Sequence, residues 1–330
     1  MRVLWMAAAI LVTNALASAQ AVKVSDAHPS RQEPAPQALK LTLTADKAKV
    51  ALGQEIQFEV RLENAGDKDA DVFELLFEER SFSLSVSGAF SAAGDRKRDY
   101  VLSVSRPEPQ IANRLPLQRV TLGPKKSLNL IHRVPAIGAG KFDFIAKYAG
   151  GSAEIASAPV KVEVEATTQG NRLAAVVDVE EIGSFRIVLS PEVSPANVTN
   201  LASLVLRGFY NDSLIHRVVR NNWIQMGCPY GIGVGGPGYA MKAETDRAIH
   251  HEPGSVSMSG YDKTGYTGSQ FFVCLATLPW LDGKYTPVGR VEGEDLSKVV
   301  EPISKQDSDR NTDAPRKPIK IKTVTLVVVK

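Results

Sequence analysis

Between Leu39 and Glu165 the apolar residues recur at every second position, and no other feature of the chain restricts its fold as strongly. Leu41 and Leu43, then Ile56, Phe58, Val60 and Leu62, place their bulk on one side of an extended backbone. Phe82-Ser-Leu-Ser-Val, Tyr100-Val-Leu-Ser-Val, Phe142-Asp-Phe-Ile-Ala and Val160-Lys-Val-Glu-Val repeat the habit, with turn signals such as Asn64-Ala65-Gly66 and Gly138-Ala139-Gly140 between runs. No stretch here carries a helical period, so a core built from helices is excluded. Strands that are apolar on one face must pair into sheets and close that face against a second sheet. Seven or more such runs in about 125 residues predict a β-sandwich over 39–165.

The pattern changes after residues 166–172 (ATTQGNR), which read as a linker. Ala174–Val179 and Phe185–Leu189 are two strands joined across Glu181-Ile182-Gly183. Ser194-Pro195-Ala196-Asn197-Val198 then predicts a helix, with Ser194 as cap and Pro195 in the first turn. Val198, Leu201, Ala202, Val205 and Leu206 continue it at helical spacing, and Gly208 ends it. Strand, strand, capped helix and many further short strands fit a closed β-barrel with helices at its ends, over 172–330. A length of 330 residues against roughly 150 per domain also implies two domains. The run Ala51-Leu-Gly-Gln-Glu-Ile-Gln-Phe-Glu-Val resembles the opening of bacterial immunoglobulin-like modules, which implies an immunoglobulin-like sandwich and no particular activity.

The first 21 residues read as an export signal: Arg2, the apolar stretch Val3 to Val12, and a small-residue cleavage site at Ala17-Ser18-Ala19 or Ala19-Gln20-Ala21. Residues 22–38, polar and with three prolines, read as a tether. An exported protein, periplasmic or secreted, is expected. No later run approaches the roughly 18 apolar residues of a membrane-spanning helix. A net charge of +3, or +2 once Arg2 is removed, is too mild for a nucleic-acid or membrane-surface partner. The two cysteines, Cys228 and Cys274, are either small buried hydrophobes or a disulfide pair.

Three segments of the second half occur in a telling order. Phe209-Tyr210-Asn211-Asp212 leads to Ile215-His216-Arg217-Val218-Val219, with Gln225 nine residues after His216. Gly235-Gly236-Pro237-Gly238-Tyr239 follows, then Pro253-Gly254-Ser255-Val256-Ser257-Met258. Gly268-Ser269-Gln270-Phe271-Phe272 comes third, with Trp280-Leu281-Asp282-Gly283-Lys284-Tyr285 and Val288-Gly289-Arg290-Val291 beyond. Over residues 172–330 the chain resembles the cyclophilins, peptidyl-prolyl cis-trans isomerases. The resemblance implies a barrel that binds proline-containing polypeptide clients, with Arg217 and Gln225 as catalytic residues. It further implies substrate contacts at Trp223, Ser259, Gly260, Gln270, Phe272, Trp280, Leu281 and Tyr285.

Such chemistry needs no nucleophile, metal or cofactor. A peptide bond resists rotation by roughly 18–20 kcal/mol because nitrogen shares its lone pair with the carbonyl. Before proline both isomers lie close in energy yet exchange over tens to hundreds of seconds. A donor that bonds the lone pair only in the twisted state, beside an apolar pocket for the ring, lowers that barrier selectively. A guanidinium, charged at any relevant pH, suits the donor's role.

Several positions depart from the pattern the resemblance implies. Asn222 stands where an aromatic is usual and Trp223 where Met is usual, so either the aromatic has moved one position or the proline pocket is reshaped. Tyr285 replaces a common His, Arg220-Asn221 a common Pro-Gly, and Met226 a common Gly. Leu-Ile-His-Arg-Val occurs at 130–134 as well as 214–218, but the first copy lacks the downstream segments, and Arg133 reads as a strand-surface residue. Gly231-Ile-Gly233-Val-Gly235-Gly236 matches a dinucleotide fingerprint literally, yet Pro237-Gly238 follows where a helix would have to begin, so a barrel loop is expected. His250-His251 with Glu244 and Asp246 lacks ligand spacing for a metal and reads as a solvated loop. Trp280 fits either the groove rim or the core. The expected activity is isomerisation of Xaa-Pro bonds in exported or envelope proteins; the competing readings are a binding module that does not catalyse and an envelope scaffold.

Overall fold

The computed structural model describes residues 38–73, 75, 81–91, 96–103, 119–149, 154–166, 171–261 and 265–330. The expected export signal and the tether up to residue 37 lie outside these, as do residues 167–170 of the expected linker.

Alternation produces strands where it was read, although the Tyr100 run is a strand only to Leu102 and its Val104 lies outside the described residues. Those of the first half are Leu39–Ala45 (β1), Lys49–Ala51 (β2), Glu55–Asn64 (β3), Ala70–Phe73 (β4), Phe82–Phe90 (β5), Arg96–Leu102 (β6), Arg119–Leu122 (β7), Ser127–Pro135 (β8), Gly140–Tyr148 (β9), Ile155–Ala156 (β10) and Val160–Glu165 (β11). One sheet runs β1-β3-β8 and a second β2-β11-β9-β5-β6, with β10 on β9 and β4 paired to β7 apart from both. The faces close on each other through the residues the period selects: Phe58 of β3 and Phe144 of β9 meet at 4.6 Å between ring centroids. Leu41, Val60, Leu62, Leu84, Val86 and Phe142 fill the layer around them. Arg133, on β8, is exposed.

One glycine is obligatory here. Gly140 has φ +151, and a Cβ on it would stand 2.0 Å from the Ala89 carbonyl oxygen of the neighbouring strand. Gly140→Ala is expected to destabilise the fold by about 2–3 kcal/mol, since backbone cannot yield as a side chain does; urea unfolding measures it.

The second half supplies Arg172–Val179 (β12), Gly183–Leu189 (β13), Pro195–Leu206 (α1), Leu214–Val219 (β14), Trp223–Met226 (β15), Met241–Lys242 (β16), Ser255–Tyr261 (β17), Tyr266–Cys274 (β18), Thr286–Val291 (β19), Glu301–Ser304 (α2) and Ile319–Val329 (β20). The order β15-β14-β20-β12-β13-β19-β17-β18 is closed by pairing of β15 with β18, and β16 adds to β18. This is an eight-stranded antiparallel barrel. Val177, Phe185, Ile187, Ile224, Met226, Phe271 and Val273 fill it. α1 lies at the Thr267 and Gly268 end of β18, where the Thr267 hydroxyl donates to Oδ1 of Asn197 and the Asn200 amide donates to the Gly268 carbonyl. At the opposite end Leu296–Val300 lies against β13, and α2 against β14 and β15. Among the described residues no helix is long and apolar enough to cross a membrane.

Ser194 precedes α1 as expected, but its hydroxyl does not cap the helix and donates instead to the Pro287 carbonyl. The capping acceptor is Glu244, whose carboxylate receives the Ala196 and Asn197 amides at 3.3 and 2.8 Å. Glu244 is thus a half-buried structural group whose partial burial raises its pKa, not a solvated loop residue.

Candidate active site

The site begins with an irregularity in β14. Ile215 pairs with Met226 and Arg217 with Gln225, so His216 is an extra residue, a bulge in the ladder. Ile215 turns into the barrel core, His216 is buried beside Gly233 of the glycine-rich loop, and the bulge returns Arg217 to the outer face. Burial holds the His216 imidazole below its ordinary pKa, hence neutral beside the cation. The register then carries one row across four strands: Arg217 opposite Gln225, Gln225 opposite Phe272, and Phe272 opposite Ser257. Residues paired in this way share a sheet face, with Cβ atoms about 5 Å apart. Their alternates, Val218, Ile224, Met226, Phe271 and Val273, point into the barrel core. Barrel closure is therefore what assembles the row, since β15 meets β18 only there.

The amide of Gln225 donates to Oε1 of Gln270 at 3.0 Å and faces the Ser259 hydroxyl at 3.4 Å. Gln270 in turn donates to the carbonyls of Gly233 and Gly235, at 3.0 Å each, which pins the glycine-rich loop to the row. No helix begins in that loop; Gly231, Gly233 and Gly235 take left-handed φ and carry Tyr230, Ile232 and Val234 outward, each about 70% exposed.

Phe272, Cys274, Leu278 and Leu281 form an apolar cluster separate from the barrel core, with Trp223 and Tyr285 packed on it. Tyr285 meets Phe272 edge-on at 5.2 Å and Trp223 approaches at 6.2 Å. An apolar wall on the outer face of a barrel is what a proline ring requires. Trp223 packs on this cluster, while the Asn222 carbonyl accepts the Leu275 amide. Trp280 is 55% exposed, which excludes the core reading. Gly260 sits past a register shift in β17, opposite Thr267, with no bond to the row. Pairing of β17 with β19 stops at Met258, while pairing with β18 continues to Tyr261. Asn221 adopts φ 63 in the β14–β15 turn, a conformation Asn tolerates in place of the usual Gly.

Other groups show roles that local sequence did not. His251 is buried, not solvated: its Nδ1 faces Asp282 at 2.8 Å, its Nε2 faces Ser257 at 2.9 Å, and its ring stacks on Phe272 at 6.1 Å. Asp282 also takes His250 Nδ1 at 2.8 Å. The bonds to His250 and then His251 hold Asp282 below the usual carboxylate range, and the pairing raises His250. Among the described residues no group of three or more His, Cys, Asp or Glu could hold a metal. A raised folded-state pKa stabilises while the group is protonated, so the His250 contribution is full below about pH 6.5 and fades as pH rises through the raised value. The stability advantage of the natural chain over His250→Gln is expected to shrink as pH rises above about 6.5, read by urea midpoints. Both cysteines are buried and free, which decides between the two readings; burial, and then the Asp282 carboxylate, push the Cys274 thiol up to about 12.

Arg217 makes one contact that no motif announces. Its Nε and Nη2 donate to Oδ2 of Asp313 at 3.1 and 2.9 Å, and its Cζ lies 5.4 Å from the centre of the Trp223 ring.

Comparison with known proteins gives the family of the barrel. The family model described as cyclophilin-type peptidyl-prolyl cis-trans isomerase/CLD matches residues 176–326. A peptidyl-prolyl cis-trans isomerase of Helicobacter pylori is 40% identical over 128 residues, covering 38% of this chain and 77% of the relative. Peptidyl-prolyl cis-trans isomerase B of Bacillus subtilis is 42% identical over 114 residues, covering 34% of this chain and 78% of the relative. Among solved structures, a cyclophilin-type isomerase of Cryptosporidium parvum, crystallised in the presence of the dipeptide Ala-Pro, is 25% identical with a TM-score of 0.43, covering 47% of this chain and 98% of that one. Through its C-terminal barrel, the chain belongs to the cyclophilin-type peptidyl-prolyl cis-trans isomerases.

Proposed function

We propose that this isomerase acts on Xaa-Pro bonds of exported or envelope proteins, with Arg217 as the catalytic donor and Gln225 as the residue that orients substrate beside it. The observation that carries the reading is the row Arg217–Gln225–Phe272, a cation, an amide and an aromatic wall in adjacent register on the outer face of the barrel. A proline ring seated against Phe272, Leu281 and Trp223 leaves its nitrogen toward Arg217. Amide conjugation occupies the lone pair in the planar state, so the guanidinium gains its bond only as the peptide twists. The carbonyl side turns while the ring stays fixed, and Gln225 and Gln270 offer polar groups to its backbone. Ser259 and Gly260, on the stretch of β17 beyond its pairing with β19, would take the residues before proline, with Trp280 and Tyr285 at the rim.

Isomerisation of a short Xaa-Pro peptide by the full chain tests this. Acceleration over the uncatalysed rate is expected, and binding without acceleration would convert the site into a recognition module. For export, the amino terminus of the protein from the cell envelope should begin at Gln20 or Val22; an intact Met1 in that fraction discards it. The first-half sheets, packed face to face through aromatics as immunoglobulin-like modules are, would serve to place the enzyme or gather clients. Cross-linking the full chain to an unfolded client should then yield contacts within 39–165. Contacts confined to the barrel would remove the gathering role.

A further inference from the structure

We propose that Asp313 is a positioning residue for Arg217, holding one edge of the guanidinium so that the other faces the groove; this rests on the catalytic role given to Arg217 above. A guanidinium carries five N–H donors in a rigid plane. Oδ2 of Asp313 engages Nε and Nη2 together, which occupies a single side of that plane and leaves Nη1 for a substrate. The Trp223 ring beneath Cζ fixes the tilt of the plane. Side chains 41% and 32% exposed add little to fold stability as a pair, so its value lies in geometry.

The carboxylate is itself held by a preformed loop. Asp313 has φ 58, its amide donates to the Asp309 carbonyl at 2.8 Å, and its own carbonyl accepts the Val218 amide at 2.7 Å. That last bond ties the loop to β14 one residue beyond Arg217. Asp309 organises the turn: one carboxylate oxygen accepts the amides of Asn311 and Thr312 and the Thr312 hydroxyl, at 2.9, 3.0 and 3.1 Å. A bridge between Ser308 and Pro315, and the Arg316 amide on the Asp307 carbonyl, close its base. Asp313 therefore reaches Arg217 from 96 positions away on a support built for that approach.

A free Arg side chain samples many rotamers, and misplacing a catalytic group by about 1 Å can cost two orders of magnitude. The test is a double-mutant cycle of Arg217→Ala and Asp313→Ala, with Asp313→Glu and Asp313→Asn alongside, on an Xaa-Pro peptide. Asp313→Ala should lower kcat about tenfold with KM within about twofold, Asp313→Glu should recover part of it, and Asp313→Ala should add nothing once Arg217 is gone. In the natural chain the Arg217 Nε–H resonance should be shifted and slow to exchange, and Asp313→Asn should abolish this. An unchanged kcat in Asp313→Ala overturns the proposal. So does a faster one, which would make the carboxylate a competitor of substrate, or an equal loss with and without Arg217, which would make it general support of the fold. If Arg217→Ala is as fast as the natural chain, the catalytic reading falls and this one with it; if Arg217→Ala alone is slow, only the present one does.

Discussion

Arg217→Ala is expected to lower kcat/KM for an Xaa-Pro peptide by about 100-fold. A charged donor contributes roughly 1.5–3 kcal/mol to a hydrogen bond, and each 1.36 kcal/mol is tenfold in rate. The loss should fall on kcat more than on KM, because the bond forms only as the peptide twists. Arg217→Lys keeps the charge and loses the fork, so it should recover a small part. Because the side chain is 41% exposed and outside both apolar cores, the variant should unfold at nearly the natural urea midpoint. A full-rate, folded Arg217→Ala would mean that the pocket alone untwists the bond.

Phe272→Ala should affect stability and turnover together. Phe272 is 4% exposed and touches Trp223, Tyr285 and His251. Truncating a buried Phe costs about 3–5 kcal/mol; the lower end is expected because this cluster borders water and can partly collapse. Without the ring the wall between Leu281 and Trp223 opens, so KM should rise severalfold even where the chain remains folded. Phe272→Leu separates the effects: most of the stability should return, while the flat surface for proline does not. Equal KM values in Phe272→Ala and the natural chain would place the proline elsewhere.

Strand existence was legible in the sequence because a period of two is written locally, as Phe82 to Val86 and Phe142 to Ala146 show. Registry was not, since it is settled by closure between segments nearly fifty residues apart and by the bulge at His216, which flips side-chain parity where alternation would have put Arg217 inward. The family motifs supplied Arg217, Gln225 and Phe272 by name; that the three stand in one row emerges only when β15 meets β18. Ser194 misled because a good cap residue can spend its hydroxyl elsewhere, and Glu244 fills the place from forty-seven residues beyond Asn197. His251 looked like wet loop because its partners, Asp282 and Ser257, arrive from other segments. Asp313 had no local signal at all: an ion pair spanning 96 positions leaves no spacing to read.

α1 buries ten of its twelve residues, where a helix capping a lone barrel would keep a broad wet stripe. Its second cover is the first half of the chain, as it lies against β6 and β8 as well as β18 and β20. Pro191, just before it, sits where a side chain on Gly138 would stand, and Leu173 reaches Gly53 in the same way. The helix therefore answers to two interiors at once. A substitution along it is felt on both sides, so the barrel is no detachable cassette here: it shares a beam with its neighbour.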